Sequence, residues 1–162
     1  TGYMVGAQYE HAGMIKHGSK MIQAVANIEV PKIALYIGAS FGAGNYGMCG
    51  FSYKPDFLFT WPNAQTGVMG GQQAAKTMEH VMRNAAKRKG KKIDEKAFSK
   101  QIRDIETHFD NQSDAFITSG RLIDHGMIDP RDTRKVLGFC LRTCLEAAAR
   151  KLRSNNFGIA RM

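Results

Sequence analysis

The chain has 162 residues, 43% hydrophobic and 23% charged, with 23 Lys and Arg against 14 Asp and Glu and a net charge of +9. That length accommodates one domain with a real core; no run of eighteen apolar residues is present, so a helical membrane span is not expected, and the first residues lack the charged-then-apolar order of a secretory leader. The positive charge gathers in Lys87-Arg88-Lys89-Gly90-Lys91-Lys92 and around Arg150, Lys151 and Arg153, with no interleaved aromatic residue and no helix-turn-helix or RNP pattern, which argues for solvated loop and helix end rather than a nucleic-acid surface.

After a glycine-containing lead-in, Met14, Ile15, Met21, Ile22 and Val25 recur at helical spacing, with Glu10 and His11 at the helix entrance. Pro31 precedes an apolar run, Ile33 to Ile37, that predicts a buried strand. A glycine-dense loop, Gly38 to Gly50, follows and leads into a short helix. Phe57 to Trp61 predicts a second strand, Pro62-Asn63 a turn, and 64–69 a third short strand. A helix is expected from Gln72 to Arg88, with Ala74, Met78, Val81, Met82 and Ala85 as its stripe. Another is expected from Asp94 to about Phe109, where Phe98, Ile102, Ile105 and Phe109 recur. Ser113 to Gly120 reads as a short helix. Asp129-Pro130 is a good helix start, because Asp can cap and Pro suits the first helical position. The last helix carries Val136, Leu137, Cys140, Leu141, Cys144 and Leu145 on one face. Strands and helices alternate, so the fold class is α/β, a mostly parallel sheet with covering helices. Two or three strands are few for such a domain, and the core is expected to be finished by a partner or by a preceding part of the chain.

The glycine loop holds the candidate chemistry. Gly42-Ala-Gly44-Asn-Tyr-Gly47 spells G-x-G-x-x-G, the dinucleotide fingerprint. Yet four residues, Gly38 to Phe41, separate the strand from its first glycine, and 57–63 offers no acidic residue for a ribose. No Gly-Lys-Ser/Thr marks a phosphate loop. Gly38-Ala-Ser40-Phe-Gly42 spells G-x-S-x-G, which keeps a serine hydrolase as a minor alternative, although the adjacent Asp124 and His125 are poor candidates for its acid and base. An oxyanion hole fits better: the N–H groups of Ala43 and Gly44, at a helix start, can stabilise negative charge on a carbonyl-type oxygen. Glycines that merely permit close packing are the bland alternative, strongest for Gly38 and Gly50.

The segments Thr1-Gly-Tyr-Met-Val-Gly6, Glu10-His11-Ala-Gly13, His17-Gly-Ser-Lys20, Gly42-Ala-Gly-Asn-Tyr-Gly-Met-Cys-Gly50, Trp61-Pro-Asn-Ala64, Val68-Met-Gly-Gly71, Ile128-Asp-Pro130 with Asp132-Thr-Arg134, and Phe157-Gly-Ile-Ala-Arg-Met162 together resemble the carboxyltransferase (β) subunits of biotin-dependent acyl-CoA carboxylases, nearest to those of methylcrotonoyl-CoA carboxylase. The likeness runs from Thr1 to Met162 and weakens across 76–112. It implies a crotonase-like (ClpP-type) fold, of which this chain is the C-terminal, biotin-side part of the carboxyltransferase C domain, without the N-terminal acyl-CoA-binding domain. It implies carboxyl transfer from carboxybiotin to an acyl-CoA, 3-methylcrotonoyl-CoA of leucine degradation or a relative such as geranyl-CoA. It assigns the ureido-oxygen donors to the backbone of Ala43 and Gly44, and the pocket lining to Phe41, Gly42, Asn45 and Tyr46, with Tyr46 a specificity candidate. Biotin would be carried by the biotin carboxylase α subunit, the β subunits would form a homo-oligomer, and the compartment would be a mitochondrial matrix or a bacterial cytoplasm. No metal, nucleic acid or membrane span is expected. Gln72 and Phe51 depart from the Glu and Arg usual in that family, and the loop 87–92 is more basic. A second class of reading is a non-catalytic oligomer-assembly module of the same fold.

The five histidines, His11, His17, His80, His108 and His125, show no HxxxH or HExxH spacing, so helix-entry and surface roles are expected. Cys49, Cys140 and Cys144 form no CxxC pair and are expected to pack as thiols in a reducing compartment.

Overall fold

The structure is a computed structural model and describes residues 2–152 and Gly158. Thr1, Arg153 and most of the 157–162 segment lie outside the described residues. The chain order is α1 (Ala7–His11), α2 (Met14–Asn27), β1 (Ile33–Tyr36), β2 (Ala39–Phe41), α3 (Gly42–Gly47), β3 (Phe57–Thr60), β4 (Gln65–Gly67), α4 (Gly71–Arg88), α5 (Glu95–Ser113), α6 (Ala115–Gly120) and α7 (Thr133–Ala149), with 3₁₀ turns at Phe51–Tyr53 and Pro130–Asp132.

Strands pair across successive turns of chain rather than within one. β1 lies parallel to β3, with Ala34 opposite Leu58 and Tyr36 opposite Thr60. β2 lies parallel to β4, with Ser40 opposite Thr66. The two stretches 33–41 and 57–67 are therefore equivalent turns of a spiral, each giving a strand to one pair and then a strand to the other. A third turn joins the stack at 125–128: His125 N donates to the Leu58 carbonyl at 2.8 Å, Ile128 N to the Thr60 carbonyl at 2.9 Å, and Met127 bridges Thr60 in parallel. Burial alternates along β1 and β3 as the pleat requires, and Ala34, Tyr36, Leu58 and Ala64 form a buried cluster in which Leu58 is fully inaccessible.

His125 adds a side-chain rung. The Leu58 N–H donates to its Nδ1 at 2.9 Å, so that nitrogen is the acceptor and the ring proton sits on Nε2. The histidine expected at the surface is solvent-exposed, as read, but its ring continues the sheet ladder. Trp61 Nε1 donates to Thr133 Oγ1 at 3.0 Å and pins the start of α7 to the end of β3.

Four sequence readings change. Gly38 to Phe41 is not all loop: Ala39–Phe41 is a strand, because after a kink at 37–38 the chain finds a second parallel partner in β4. Glu10 and His11 belong to a separate short helix, since Gly13 takes a left-handed φ of 91° and breaks the run before Met14. The helix expected to end near Phe109 continues to Ser113, whose side chain is buried. Asp129-Pro130 starts a 3₁₀ turn, and the α-helix proper begins at Thr133. The predicted apolar faces are only partly covered: in α2 Ile15 is 73% exposed, and in α7 Cys140 is buried while Leu141 and Leu145 are exposed. Cys49, Cys140 and Cys144 are free thiols, and burial pushes the Cys49 and Cys140 thiols up, keeping them protonated.

α4 and α5 pack as a helical hairpin held at both ends. Near the loop, the Arg83 guanidinium bonds both Glu95 oxygens at 2.8 and 2.9 Å and Glu79 at 3.0 Å, and lies 4.7 Å from the Phe98 ring centroid. At the other end, Gly71 N donates to Asp110 Oδ1 at 3.1 Å. The Asp94 carboxylate caps α5 by accepting from Lys96 N and Ala97 N. The basic segment 87–92 falls at the exposed α4–α5 connection, remote from the core.

Two outcomes follow. Leu58→Ala in the intact protein is expected to cost about 2–5 kcal/mol, read as a lower thermal midpoint; an unchanged midpoint would show that the β1–β3 core does not support the fold. Asp129 accepts from Arg131 N at 2.8 Å and from its guanidinium at 3.0 and 2.6 Å, which holds the Asp129 carboxyl down to about 2. A depressed carboxyl contributes its cap at neutral pH and loses it as pH falls through that value. An NMR titration of Asp129 should centre near 2 and move up in Arg131→Ala.

Candidate oxyanion site at the start of α3

β2 delivers the chain to α3 in three steps. Phe41 is extended, with φ −122° and ψ 148°. Gly42 then turns left-handed with φ 53°, and a Cβ added there would lie 3.0 Å from the Val68 carbonyl oxygen. Only glycine meets both demands without strain. α3 begins at once, so the N–H groups of Gly42, Ala43 and Gly44 precede Asn45, the first residue whose N–H has an α-helical acceptor. No side chain caps them. Beyond the β2–β4 ladder, which ends at the Phe41–Gly67 pair, the Ala43 and Gly44 N–H groups form a pair of backbone donors.

Two hollows flank these donors. One, of about 410 Å³, is bordered by Tyr3, Phe41, Gly42, Ala43, Gly44 and Gln73 among others. The other, of about 340 Å³, is bordered by Gly42, Ala43, Tyr46, Phe51 and Ile123 among others. Val68, which is 77% exposed at the end of β4, borders both. Among the described residues, no side chain of Asp, Glu, Lys, Arg or His lines either hollow. The chemistry that the described lining offers is neutral hydrogen-bond donation against apolar walls.

The six residues read from the sequence all meet at this helix start, but they divide. Phe41 and Gly44 face one hollow, Asn45 and Tyr46 the other, and Gly42 and Ala43 both. Tyr46 is 44% exposed and stands edge-on to Tyr53, with centroids 5.7 Å apart. Asn45 lies at the wall with its amide turned inward, where Nδ2 donates to Tyr36 Oη at 2.8 Å and Ser40 Oγ at 3.0 Å and lies 3.3 Å from Thr66 Oγ1. Ser40 is 6% exposed, in the middle of a paired strand, with Asn45 as its side-chain partner. A nucleophile elbow needs an exposed serine on a strained turn beside a histidine, so the arrangement disfavours the hydrolase reading. The sequence reading missed Val68, Gln73 and the Tyr36–Ser40–Thr66 oxygens. Gly70-Gly71 marked the end of the β4 turn, but nothing in the residue pattern showed that β4 returns beside β2.

A parallel spiral of short strands flanked by long helices is the architecture of the crotonase-like fold, and comparison with known proteins gives the carboxyltransferase class within it. The family model for the carboxyl transferase domain matches residues 1–159, and the chain belongs to that family. Over its whole length it is 50% identical to a probable biotin-dependent acyl-coenzyme A carboxylase beta2 subunit of Mycobacterium tuberculosis, and 47% identical to the mitochondrial methylcrotonoyl-CoA carboxylase beta chain of Arabidopsis thaliana. It spans 30% and 27% of those proteins. Among solved structures it matches the beta subunit of Pseudomonas aeruginosa geranyl-CoA carboxylase with a TM-score of 0.88 at 48% identity, covering 100% of this chain and 30% of that one. It matches a hexameric transcarboxylase 12S subunit, solved with hydrolysed methylmalonyl-coenzyme A, with a TM-score of 0.69 at 26% identity over 97% of this chain and 28% of that one. The crotonase-like fold and the carboxyltransferase family, expected from the motifs, are thus established.

Gly42→Ala should strain the turn by about 1–2 kcal/mol, the cost of a left-handed L-residue, and push against Val68. The expected result in the full-length subunit is a lower thermal midpoint together with changed amide shifts at 42–44. A variant indistinguishable in both would show that the turn tolerates a side chain.

Proposed function

We propose that this chain is the biotin-side part of the carboxyltransferase C domain of a biotin-dependent acyl-CoA carboxylase, with the acyl-CoA-binding domain elsewhere in the full-length subunit. The observation that carries the reading is the pair of N–H groups at Ala43 and Gly44, with no side-chain cap, set in a hollow whose lining among the described residues includes no carboxylate, ammonium, guanidinium or imidazole group. Biotin's ureido ring is flat, neutral and bears one carbonyl-type oxygen. The donor set suits it: the missing side chain at Gly42 leaves a cradle that a Cβ would narrow against Val68, and Phe41 supplies an apolar wall.

Carboxybiotin, when bound, supplies the activated carboxyl group. The backbone of Ala43 and Gly44 holds negative charge on an oxygen presented to it, using donors already fixed by the fold, so no reorganisation is needed as charge develops. Phe41, Gly42 and Val68 shape the wall beside those donors. Asn45 and Tyr46 stand on the other face, where Tyr46, exposed and edge-on to Tyr53, is the lining side chain placed to discriminate among substrates. Side-chain identity at 43 matters little, because the donors are backbone groups.

The substrate class follows from relatives named for methylcrotonoyl-CoA and geranyl-CoA. Both are thioesters of a 3-methyl-2-enoic acid, so the proposed substrate is an acyl-CoA of that type, 3-methylcrotonoyl-CoA first. The partners are a biotin-carrying α subunit and further β subunits, and the setting is the mitochondrial matrix or the bacterial cytoplasm, in keeping with relatives that are mitochondrial or come from bacteria.

The test uses the full-length subunit in its native oligomer, with biocytin and a panel of carboxylated acyl-CoAs. One 3-methyl-2-enoyl substrate should dominate. Ala43→Pro removes one donor at a helix position whose φ suits proline and should lower kcat by about 10²–10³-fold with the oligomer intact. Full turnover by that variant would refute the oxyanion role; no transfer with any substrate by the native protein would favour the assembly-module reading.

A further inference from the structure

The donors at Ala43 and Gly44 sit on a helix of six residues, too short to hold its own direction in water. Something must fix α3 against the strands. Gly42 is left-handed and no side chain caps the helix start, so no side chain there fixes the direction of α3. The first residue to reach into the protein is Asn45, one turn along and 9% exposed.

Its amide contacts three oxygens from three different strands. Nδ2 lies 2.8 Å from Tyr36 Oη at the end of β1, 3.0 Å from Ser40 Oγ in β2, and 3.3 Å from Thr66 Oγ1 in β4. The amide has two hydrogens, which serve Tyr36 and Ser40. Thr66 spends its own hydrogen on the Ser40 carbonyl at 2.9 Å, tying β4 to β2 beneath the amide. Tyr36 Oη in turn accepts from Phe51 N at 3.2 Å, and Gly50 N donates to the Asn45 carbonyl at 2.8 Å. The segment that follows α3 is thus fastened to the same node. A Cβ at Gly50 would overlap Asn45 Oδ1 and lie 2.8 Å from Tyr36 Oη, so the network needs a bare backbone there. All four side chains, Tyr36, Ser40, Asn45 and Thr66, are at least nine-tenths buried.

We propose that Asn45 is a positioning residue rather than a substrate contact: its amide, bonded to Tyr36 and Ser40, sets the direction of α3 and hence the aim of the Ala43 and Gly44 donors. The inference rests on the carboxyltransferase reading of that pair. Ser40 and Tyr36 belong to the same device, which explains a buried serine in a G-x-S-x-G setting without nucleophilic chemistry. Preorganised donors act by aim, and a misplacement of about 1 Å can cost up to about 10²-fold in rate.

The experiment measures kcat, KM for biocytin and thermal midpoint in the full-length subunit for Asn45→Ala, Ser40→Ala, Tyr36→Phe and the Asn45→Ala/Ser40→Ala double variant, beside Ala43→Pro. Asn45→Ala is expected to lower kcat by up to about 10²-fold, and Tyr36→Phe and Ser40→Ala by roughly five-fold each. KM should stay within about two-fold for all, since the side chain binds no substrate. The double variant should be no slower than Asn45→Ala alone, because both substitutions break one tether. If Asn45→Ala does not assemble, the two milder variants decide. Unchanged kcat in Tyr36→Phe and Ser40→Ala, with or without a lower midpoint, overturns the inference when Ala43→Pro is impaired. A raised KM with unchanged kcat in Asn45→Ala also overturns it, by making Asn45 a contact. If Ala43→Pro is fully active, the donor pair is not catalytic, and the inference falls with the reading it rests on.

Discussion

Parallel strands cannot be joined by a tight turn, and that constraint organises the described part of this molecule. β1 and β3 can pair only if the chain between them leaves the sheet and returns on the same side. Here it does so through a second strand and a short helix, 39–47, and the return path repeats the pattern one level on. Each turn of the spiral therefore ends a strand at the same edge. The donor pair sits where β2 stops pairing and the backbone has to find other uses for its N–H groups.

The stacking also explains why so few large side chains are fully buried. With strands of three or four residues, each pleat face contributes only one or two inward positions, such as Ala34 and Tyr36 or Leu58 and Thr60. Much of the remaining order comes from polar ties between levels: His125 to Leu58, Trp61 to Thr133, and the amide node under α3. Such ties are individually modest, but each is directional. They specify where one turn lies over the next, which a small apolar core alone would leave loose.

Charge plays a smaller part than the composition suggests. The basic run at 87–92 is an exposed helix connection, and the best-formed ion pair, Arg83 with Glu95 and Glu79, clasps α4 to α5 at that same end. Being solvent-exposed, it is screened by water and salt and contributes little net stability, so its effect is on the register of the hairpin. Among the described residues the site lining is electrically quiet, as suits a hollow whose donors are peptide groups and whose proposed guest offers them a ureido carbonyl oxygen.

The long helices, the two apolar strands and the glycine-rich turn were legible from local pattern, because periodicity and punctuation are properties of neighbouring residues. Phe98 and Ile102 announce α5, Ile33 to Ile37 announces β1, and the glycines at 42 and 44 announce a backbone site. The motifs likewise identified the family, since those residue strings are contiguous. What local pattern could not decide is which segments lie side by side. Ala39–Phe41 is a strand only because Gln65–Gly67 returns beside it, His125 becomes a rung only because a third turn stacks on Leu58, and Asn45, read as a pocket residue, turns its amide inward only because three strands bring oxygens beneath it. Pairings across 20 to 70 residues leave no local signature, because the hydrogen-bonding groups they join are common to every chain and only tertiary packing selects the partners.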